Sequence, residues 1–380
     1  MTFTVRVIEV GHIVAGPTAG LILADLGHEV IKIENPDGGD IARKLEGSSK
    51  GAFPTFNRNK KSVAIDLKMP EGKEAFKDIV RTSDILIDNL SNGTMDSLGL
   101  GFKDLKKIRH NLIYVSIHGY GPGPLQNRKS LDYPIEVHSG MAFMNGLKNR
   151  PLRVGASVVD ISSALFGVVG ALDALSKRGG SDEAKKIEIG LFETAMFLVG
   201  QHIVTEEMLG KELDPINESG FAWGIYDFFN TKDGKKIFIA VTTDNQWKKF
   251  CLSFNMGFCA ERIYEHNDGR YLNRDTLIPR IAENIKRLNS SDVIEVLEKN
   301  NIVFSMLKKP WELLEDDQAK DKFVRVDYDG KILRVPATPV YGNEYTGTVP
   351  DLGADTDAVL KSLGYSQEKI DHLRKISTLL

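Results

Sequence analysis

The chain has 380 residues, of which 42% are hydrophobic and 27% are charged, as in an ordinary globular protein long enough for two domains. The formal net charge of −3 argues against a nucleic-acid-binding protein, which usually carries a strong excess of basic residues. Two cysteines, Cys251 and Cys259, are too few for a framework of disulfides, so we expect a reducing, cytoplasmic location. The N-terminus lacks a signal-peptide pattern and no apolar run reaches about 18 residues, which predicts no membrane span.

The first half of the chain alternates between β-rich runs and helical runs. In order, the pattern predicts strand 5–10, helix 18–27, strand 30–34, strand 60–68, helix 70–83, strand 84–90 and strand 111–121. Strands that alternate with helices of this length indicate an α/β fold with a parallel sheet.

The second half has a different texture. In order, the pattern predicts an apolar helix over 158–176, a strand and helix over 185–210, a β-hairpin around the Lys-Asp-Gly turn at 232–234, helices to about residue 315, and a final segment over 335–375. The hairpin and the helices after it indicate a smaller α+β domain that starts near residue 222. The final segment is extended first and helical last, and we expect its extended part to cover another part of the protein or a partner subunit.

The loop after the first strand resembles a dinucleotide-binding turn only in part. That turn needs G-x-G-x-x-G, whereas Gly11, Gly16 and Gly20 are separated by four and then three residues. Ile13 and Val14 would also crowd a pyrophosphate. The βαβ unit therefore predicts a ligand-accessible loop at the end of the first strand, but not a nicotinamide site.

Several enzyme signatures are missing from the sequence. The histidines and cysteines form no cluster at metal-ligand spacing, so we expect no metal site. There is no G-x-S-x-G nucleophile elbow and no phosphate-binding P-loop.

Asp160 is the residue whose position most suggests chemistry, because it stands at the start of the predicted helix over 158–176. One interpretation is a helix N-cap, a common role for aspartate. The other is a nucleophile that faces a glycine-lined cavity and attacks an activated carbonyl to form a mixed anhydride. In that case the helix dipole would keep the carboxylate ionised.

Several long motifs resemble one known family. The N-terminal run VIEVGHIVAGPTAGLILADLGHEVIKIENPDGGDIAR is followed in the family's order by FNRNKKSVAIDLKMPEGKE, DILIDNLSNGTMDSLGLGF and LIYVSIHGYGPGP, and the C-terminal LGADTDAVLKSLGYSQEKIDHLRK also matches. Over residues 5 to about 375 the chain resembles the family III coenzyme A transferases, the CaiB/BaiF family, which includes formyl-CoA and carnitine-CoA transferases. The motifs are specific to the family, but not to a substrate.

The resemblance implies an α/β fold with a Rossmann-like large domain, built on a parallel sheet from residues 1–200 and 320–380. A small α+β domain over 221–319 and a linker over 201–220 would complete an interlocked homodimer. The implied reaction moves CoA from an acyl-CoA donor to a carboxylic acid acceptor. CoA would enter as a thioester substrate, with no permanently bound cofactor, and no nucleic acid or membrane partner is expected.

The resemblance also assigns roles to individual residues. Asp160 matches the family's catalytic aspartate, the nucleophile of the acyl anhydride. Asp132 falls at the acidic position near that nucleophile, although by itself it indicates a solvated loop residue. Ser219 and Gly220 are the nearest candidates for a flap over the acyl group. The positions that match CoA-binding residues are Val14, Ala15, Asn35, Ile65, Asp66, Leu67, Lys68, Asn89, Leu90 and Lys129.

Some residues depart from the formyl-CoA transferase pattern. Val14 replaces a glutamine, and Asn35 and Ser97 replace arginines, which puts formate–oxalate exchange in doubt. The run of glycines in the small-domain loop is also missing. By residue type alone, five basic residues are expected to be solvated at the surface. These are Arg58, Lys60, Lys61, Lys68 and Lys129.

Two alternatives remain open. The superfamily also holds α-methylacyl-CoA racemases, which pair a histidine just before the Asp132 position with the aspartate at Asp160. Here that place is Leu131, which cannot transfer a proton. His138 is expected to be packed or at the surface. Asp244 falls near the position of a racemase glutamate and is expected to cap a helix. The second alternative is a CoA-ester-binding protein without turnover, and the presence of Asp160 argues against it.

Overall fold

The computed structural model describes residues 4–180, 183–219, 222–340 and 347–380. The chain divides into two compact units: unit 1 comprises Met1–Asn145, Pro151–Lys211 and Asp321–Leu380, and unit 2 comprises Gly146–Arg150 and Glu212–Lys320. The domain boundaries expected from the sequence remain predictions. Gly200–Leu209, which overlaps the expected linker from residue 201, is a helix of unit 1.

The strands, in chain order, are β1 Arg6–Val10, β2 Glu29–Glu34, β3 Lys61–Ala64, β4 Ile85–Asp88, β5 Ile113–His118, β6 Lys185–Gly190, β7 Ile225–Asn230, β8 Lys236–Val241, β9 Val303–Met306, β10 Phe323–Tyr328 and β11 Lys331–Pro336. The α-helices are α1 Ala15–Asp25, α2 Ala52–Phe56, α3 Pro70–Arg81, α4 Thr94–Ser97, α5 Phe102–Leu105, α6 Asp132–His138, α7 Met141–Asn145, α8 Val158–Ser176, α9 Leu191–Leu198, α10 Gly200–Leu209, α11 Ile216–Ser219, α12 Asp244–Ser253, α13 Asn267–Leu272, α14 Arg274–Ile285, α15 Ser290–Lys299, α16 Thr356–Ser362 and α17 Gln367–Lys375.

Unit 1 is built on a six-stranded parallel sheet in the order β3-β2-β1-β4-β5-β6, which confirms the predicted α/β class and parallel sheet. Val7 in the central strand pairs with Val30 of β2 and Ile85 of β4. The strand order reverses between β1 and β4, the arrangement of doubly wound sheets, which bind ligands beyond the carboxyl ends of their strands at this reversal.

Both faces of the sheet are covered by helices, because successive side chains of a strand point to opposite faces. Val7 packs in a cluster with residues of α1 and α8, whereas Ile8 packs in a second cluster with residues of α3, α16 and α17. The C-terminal helices therefore bury their apolar faces against the sheet formed by the start of the chain.

Helix α8 bears on the expected absence of a membrane span. It has 19 residues, and an 18-residue window within it has a mean hydropathy of 1.8, which makes it long and apolar enough to cross a membrane by length and composition alone. A count of uninterrupted apolar residues does not identify this helix, because serine, glycine and two aspartates break the run without lowering the average hydropathy much. In the structure α8 packs on α1, β5 and β6.

The strands β10 and β11 form an antiparallel hairpin that the sequence analysis did not predict. Its turn residues, Asp329 and Gly330, both have positive φ (53° and 67°), as an Asp-Gly hairpin turn requires. Residues 341–346 of the expected extended segment lie outside the described residues. Residues 347–350 of this segment contact the N-terminal part of unit 1, since Asn59 N–H donates to Thr348 O and Arg43 donates to Pro350 O.

Unit 2 contains an antiparallel sheet in the order β7-β8-β9, whose apolar face packs against α12, α14 and α15. The predicted Lys-Asp-Gly turn joins β7 to β8, and Gly234 there has a φ of 76°. Cys251 and Cys259 form a disulfide that the cysteine count did not predict, because pairing depends on how the chain turns after α12. The expected reducing location remains a prediction.

Candidate active site

The residues predicted to bind CoA follow the carboxyl ends of neighbouring strands. Val14 and Ala15 come after β1, Asn35 after β2, residues 65–68 after β3, and residues 89–90 after β4. Because these strands are parallel, the four segments lie along one edge of the sheet, on both sides of the reversal between β1 and β4.

The side chains predicted to bind CoA differ in exposure. The exposed members are Asn35, Lys68 and Lys129, the partly buried members are Asp66, Leu67, Asn89 and Leu90, and the buried members are Val14, Ala15 and Ile65. Polar side-chain atoms are present on Asn35, Asp66, Lys68, Asn89 and Lys129. Val14, Ala15 and Ile65 are apolar and buried, so a ligand would meet them mainly through their backbone.

Asn89 joins the two sides of the reversal. Its Oδ1 accepts a hydrogen bond from Gly16 N–H at 3.1 Å, and its Nδ2 donates to Ile117 O at 3.0 Å. A Cβ added to Gly16 would lie 2.8 Å from Asn89 Cβ, closer than real Cβ contacts, so glycine is required here. Asn89 thus holds the start of α1 against the ends of β4 and β5.

The start of α1 differs from the phosphate-binding helix of a dinucleotide fold. In that fold, free N–H groups of the first helical turn bind the pyrophosphate. Here the Gly16 N–H is taken by Asn89, and Pro17 has no N–H. The first turn of α1 therefore offers no free N–H group at Gly16 or residue 17 to a pyrophosphate, in agreement with the glycine spacing, which argued against a nicotinamide site.

Asp160 is the third residue of α8, and Ser157 occupies the N-cap position without a side-chain hydrogen bond to the helix. The N-cap interpretation of Asp160 is therefore wrong. Asp132 caps α8 instead: its Oδ2 accepts hydrogen bonds from the N–H groups of Val159 and Asp160, each at 3.1 Å. Asp132 is 5% exposed at the start of α6, so the solvated-loop interpretation of Asp132 is wrong as well.

Two charged residues near Asp160 were not predicted. Arg153 Nη2 lies 3.3 Å from Asp132 Oδ1, and its Nε lies 3.9 Å from Glu136 Oε1. Glu136 is fully buried and its Oε2 accepts from Val154 N–H at 2.9 Å. The signal for Glu136 was its position four residues after Asp132 on the same helix, which places both on one face.

Burial, and after it the negative charge of Asp132, raise the pKa of Asp160 to about 7, while the positive charge of Arg153 opposes the shift. Burial, together with Asp132, also raises the pKa of Glu136. The expectation that the helix dipole keeps Asp160 fully ionised is therefore corrected, since desolvation and a neighbouring carboxylate favour the neutral acid. Near neutral pH, Asp160 exists in both protonation states.

The basic run after α2 is not a solvated face. Arg58 is fully buried and forms an ion pair with Asp25, and Lys60 is 4% exposed and lies 2.6 Å from Glu9. Only Lys61 of the run is exposed. Basic residues usually stay at the surface, and nothing in the local sequence indicated these buried partners.

A racemase would need a histidine directly before Asp132 as its second proton carrier, and this chain has Leu131 there. Leu131 is 65% exposed and directly precedes Asp132. His138 is exposed at the other end of α6, with its Nδ1 3.0 Å from the hydroxyl of Tyr120. Asp244 pairs with Arg270 at 2.6 Å in unit 2.

The remaining predicted residues stay untested. Ser219 ends α11, and Gly220 lies outside the described residues. Within the described ranges, no group of three or more histidine, cysteine, aspartate or glutamate side chains could hold a metal ion.

The fold is thus a doubly wound α/β sheet with a candidate ligand-binding edge at the carboxyl ends of its strands. Asp160, close to Asp132 at the start of α8, is the candidate nucleophile. A sequence model described as CoA-transferase family III matches residues 4–356. The chain is 28% identical to the succinate–glutarate CoA-transferase of Agrobacterium fabrum, with 94% of each chain covered. It is 30% identical to the (R)-2-hydroxy-4-methylpentanoate CoA-transferase of Clostridioides difficile, with 97% of each covered.

Another relative is the alpha subunit of the succinyl-CoA–L-malate CoA-transferase of Chloroflexus aurantiacus, which is 30% identical, with 97% of this chain and 90% of the relative covered. The crystal structure of a CaiB/BaiF family protein from Brucella suis superposes with a TM-score of 0.84 at 26% identity, and covers 94% of this chain and 98% of that one. The chain belongs to CoA-transferase family III, whose members are enzymes that use CoA thioesters as substrates.

Proposed function

We propose that the protein moves CoA from an acyl-CoA donor to a free carboxylic acid and that Asp160 is its nucleophile. The observation that carries this proposal is the placement of Asp160: a partly buried carboxyl on the first turn of α8, with Asp132 bound to the same turn and Arg153 beside it. A carboxylate that is poorly solvated is a stronger nucleophile than one in water.

The proposed reaction begins when the ionised Asp160 attacks the carbonyl carbon of the thioester. The C–O bond of an aspartyl-acyl anhydride forms, the C–S bond breaks, and CoA leaves as a thiolate. The thiolate then attacks the aspartyl carbonyl, which gives an aspartyl-CoA thioester and releases the donor acid. The acceptor carboxylate next attacks the aspartyl-CoA thioester, which forms a new anhydride and releases the CoA thiolate. The thiolate attacks the acceptor's acyl carbonyl, which gives the new acyl-CoA and regenerates the Asp160 carboxylate without net uptake of protons or electrons.

The helix that carries Asp160 also contributes to this chemistry. Its N-terminal dipole favours negative charge on the first turn, and Arg153 offers a cation next to the same turn. Both effects stabilise the carboxylate that must form before attack, whereas burial opposes it. Backbone N–H groups of the glycine-bearing loops are suited to bind the oxyanion that develops on the attacked carbonyl.

We propose that CoA lies along the edge of the sheet formed by the residues after β1 to β4. Lys68 follows β3 and Lys129 lies in the segment after β5; both are exposed and carry the charge that CoA phosphates require. The relatives are named for succinate, glutarate, L-malate and (R)-2-hydroxy-4-methylpentanoate, so short dicarboxylic and hydroxy acids are the first acceptors to test.

We also propose that two copies form an interlocked homodimer in the cytoplasm. Helices α8, α9 and α10 expose a set of large apolar side chains, which we call the apolar face: Leu165, Phe166, Val169, Met196, Phe197, Ile203, Val204 and Met208. Phe166 and Phe197 of this set are in ring contact, with centroids 5.6 Å apart. Exposed apolar patches mark protein interfaces, and a second copy is the occupant that the proposal requires.

The racemase alternative is disfavoured because Leu131 cannot exchange a proton. His138 is the nearest histidine to Asp132 on α6, and it would have to act from the opposite end of that helix. A CoA-ester-binding protein without turnover is disfavoured because a binder has no need of a buried acid with a raised pKa.

The proposal is tested by trapping. The protein is incubated with a panel of acyl-CoA esters, quenched with hydroxylamine or borohydride, and mapped by peptide mass spectrometry, with Asp160→Asn as the control. Modification confined to Asp160 supports the anhydride route and identifies the donor. An unmodified Asp160 across the panel, with deuterium entering C2 of a 2-methylacyl-CoA in heavy water, would establish a racemase; tight binding with neither outcome would establish a binder.

A further inference from the structure

The turn between β1 and α1 holds a strained residue. Ile13 has a φ of 67°, and Val14 N–H donates to His12 O at 3.0 Å, which closes a three-residue turn centred on Ile13. Such γ-turns with a positive central φ are rare and strained, and a β-branched residue in this region is a genuine outlier. A strained residue persists only where its surroundings hold it.

Two buried charges hold this turn. Ile13 N–H donates to Asp40 Oδ1 at 3.1 Å, and Gly11 O accepts from Lys32 Nζ at 3.0 Å. Lys32 Nζ lies 2.8 Å from Asp40 Oδ2, and both side chains are fully buried. Burial disfavours the charged Asp40, but neighbouring His12 and Lys32 outweigh it, so the pKa of Asp40 lies well below its usual range.

The same charges continue under the first turn of α1. Lys32 Nζ lies 2.8 Å from Glu9 Oε1, and Lys60 Nζ lies 2.6 Å from Glu9 Oε2. Lys60 also donates to Pro17 O at 2.8 Å. We call Glu9, Lys32, Asp40 and Lys60 the buried charge network; it contains two anions and two cations.

A buried charge network of this kind is weak evidence for stability, because desolvation offsets most of the attraction between the charges. Its contacts here converge on backbone groups of one segment, Gly11 to Pro17. That segment contains Val14 and Ala15, two of the positions at which the proposed function places CoA.

We propose that Asp40 and Lys32 are positioning residues for the acyl-CoA substrate. They hold the strained turn at Ile13, and through it they keep Val14 and Ala15 at the edge of the sheet where CoA binds. Without them, Ile13 relaxes to negative φ and the loop leaves the position that accepts the ligand. This inference rests on the proposed function, because it concerns the same ligand edge.

The first test is Asp40→Asn, which removes the charge that Lys32 faces. The expected result is a KM for the acyl-CoA donor raised about tenfold. Without its bond to Asp40, Ile13 leaves positive φ, because an L-residue with a side chain is strained there. The apparent affinity for CoA then falls in proportion to the fraction of molecules whose loop stays in the binding position. The value of kcat is expected to change less than threefold. Asp104→Asn on α5, a partly exposed acid away from this edge, is the matched control and is expected to keep the wild-type KM.

A second pair of variants leaves the buried charges intact in case Asp40→Asn does not fold. Ile13→Pro fixes φ near −65° and removes the N–H that Asp40 accepts, so it is expected to raise KM at least tenfold while the circular dichroism spectrum stays native. Ile13→Gly keeps the N–H and adopts positive φ without steric cost, so its KM is expected to rise less than threefold.

Rescue separates positioning from general destabilisation. In the double variant Asp40→Asn with Ile13→Gly, KM is expected to recover most of the loss, because glycine keeps the turn without the tether. An unchanged KM in Ile13→Pro, or a double variant no better than Asp40→Asn, would overturn the inference. Calorimetric titration of the wild-type protein with CoA distinguishes a failure of the proposed function: absence of CoA binding and of CoA exchange in the wild type would overturn both.

Discussion

Asp132 and Asp160 are linked through one helix terminus: Asp132 Oδ2 accepts the backbone N–H of Asp160 at 3.1 Å, while the charge of Asp132 raises the pKa of the Asp160 carboxyl. The residue that fixes the backbone of the proposed nucleophile therefore also makes that nucleophile harder to ionise. Arg153, 3.3 Å from Asp132, works in the opposite direction.

We expect Asp160→Asn to abolish CoA exchange, with a loss of at least about a thousandfold in kcat, because the nucleophile is gone. The measurement is transfer of CoA between labelled acids. Residual activity within tenfold of the wild type would show that Asp160 is not the nucleophile.

The same variant is expected to be more stable than the wild type near neutral pH. An acid whose pKa rises from 3.8 unfolded to about 7 folded binds more protons in the folded state between those values. The free energy of unfolding of the wild type therefore falls as pH rises from about 4 to about 7. Replacing the acid by a neutral amide removes this loss, a gain of up to about 4 kcal/mol at pH 7. Urea unfolding at pH 4 and pH 7 measures it, and an equal difference between the proteins at both pH values would contradict the assignment.

The pH dependence of exchange is expected to follow the ionisation of Asp160. The value of kcat/KM should rise with pH and level off above an apparent pKa of about 7. Arg153→Gln removes a cation that favours the carboxylate and should move the midpoint to higher pH. Asp132→Asn removes a like charge and should move it to lower pH. Shifts in the same direction for both variants would contradict the electrostatic account.

The cap of α8 is expected to contribute to stability through Asp132 alone. Asp132→Ala leaves the N–H groups of Val159 and Asp160 without their acceptor, so the free energy of unfolding should fall by about 1–3 kcal/mol. Ser157→Ala is the matched control: Ser157 occupies the N-cap position without a side-chain bond, so its loss should cost less than about 0.5 kcal/mol. Comparable losses for the two variants in urea unfolding would show that Asp132 is not the cap.

The contact between Gly16 and Asn89 is expected to tolerate no side chain at residue 16. Gly16→Ala places a Cβ 2.8 Å from Asn89 Cβ, so α1 must shift, with a loss of about 1–3 kcal/mol in stability and a higher KM for the acyl-CoA. Gly51→Ala is the control, since nothing lies within 4 Å of its added Cβ. If both variants lose the same stability, the close approach is not the cause.

The apolar face is expected to hold the homodimer together. Phe197 and Met208 are 71% and 82% exposed, and their joint replacement by glutamate should convert the dimer to a monomer in native mass spectrometry, because charged groups are excluded from the core of an interface. Leu272→Glu, at a residue 79% exposed on α13 in unit 2, should leave the mass unchanged. A wild-type protein that is monomeric at micromolar concentration would refute the dimer itself.

The sequence alone determined the class of the large unit. Alternation of β-rich and helical runs predicted the parallel sheet, and the run over 158–176 predicted α8 with its observed bounds, because these signals are local periodicities. The Asp-Gly turn at Asp329 and Gly330 was an equally local signal for the missed hairpin. The first helix begins at Ala15 rather than residue 18, since the turn at Ile13 starts it earlier than the apolar pattern suggests.

Only the tertiary structure decided the charge environment. Arg58, Lys60 and Lys32 look like surface residues in the chain, yet each is buried beside an acid at least 23 residues away in sequence, Asp25 for Arg58 and Glu9 for both lysines. Asp132 looked like a solvated acid, but packing places it on the N-terminus of a helix that begins 26 residues later. Local sequence determines which backbone pattern forms. The pairing and desolvation of charges depend on which strand ends and helix termini the fold brings together, and they set the protonation state of Asp160.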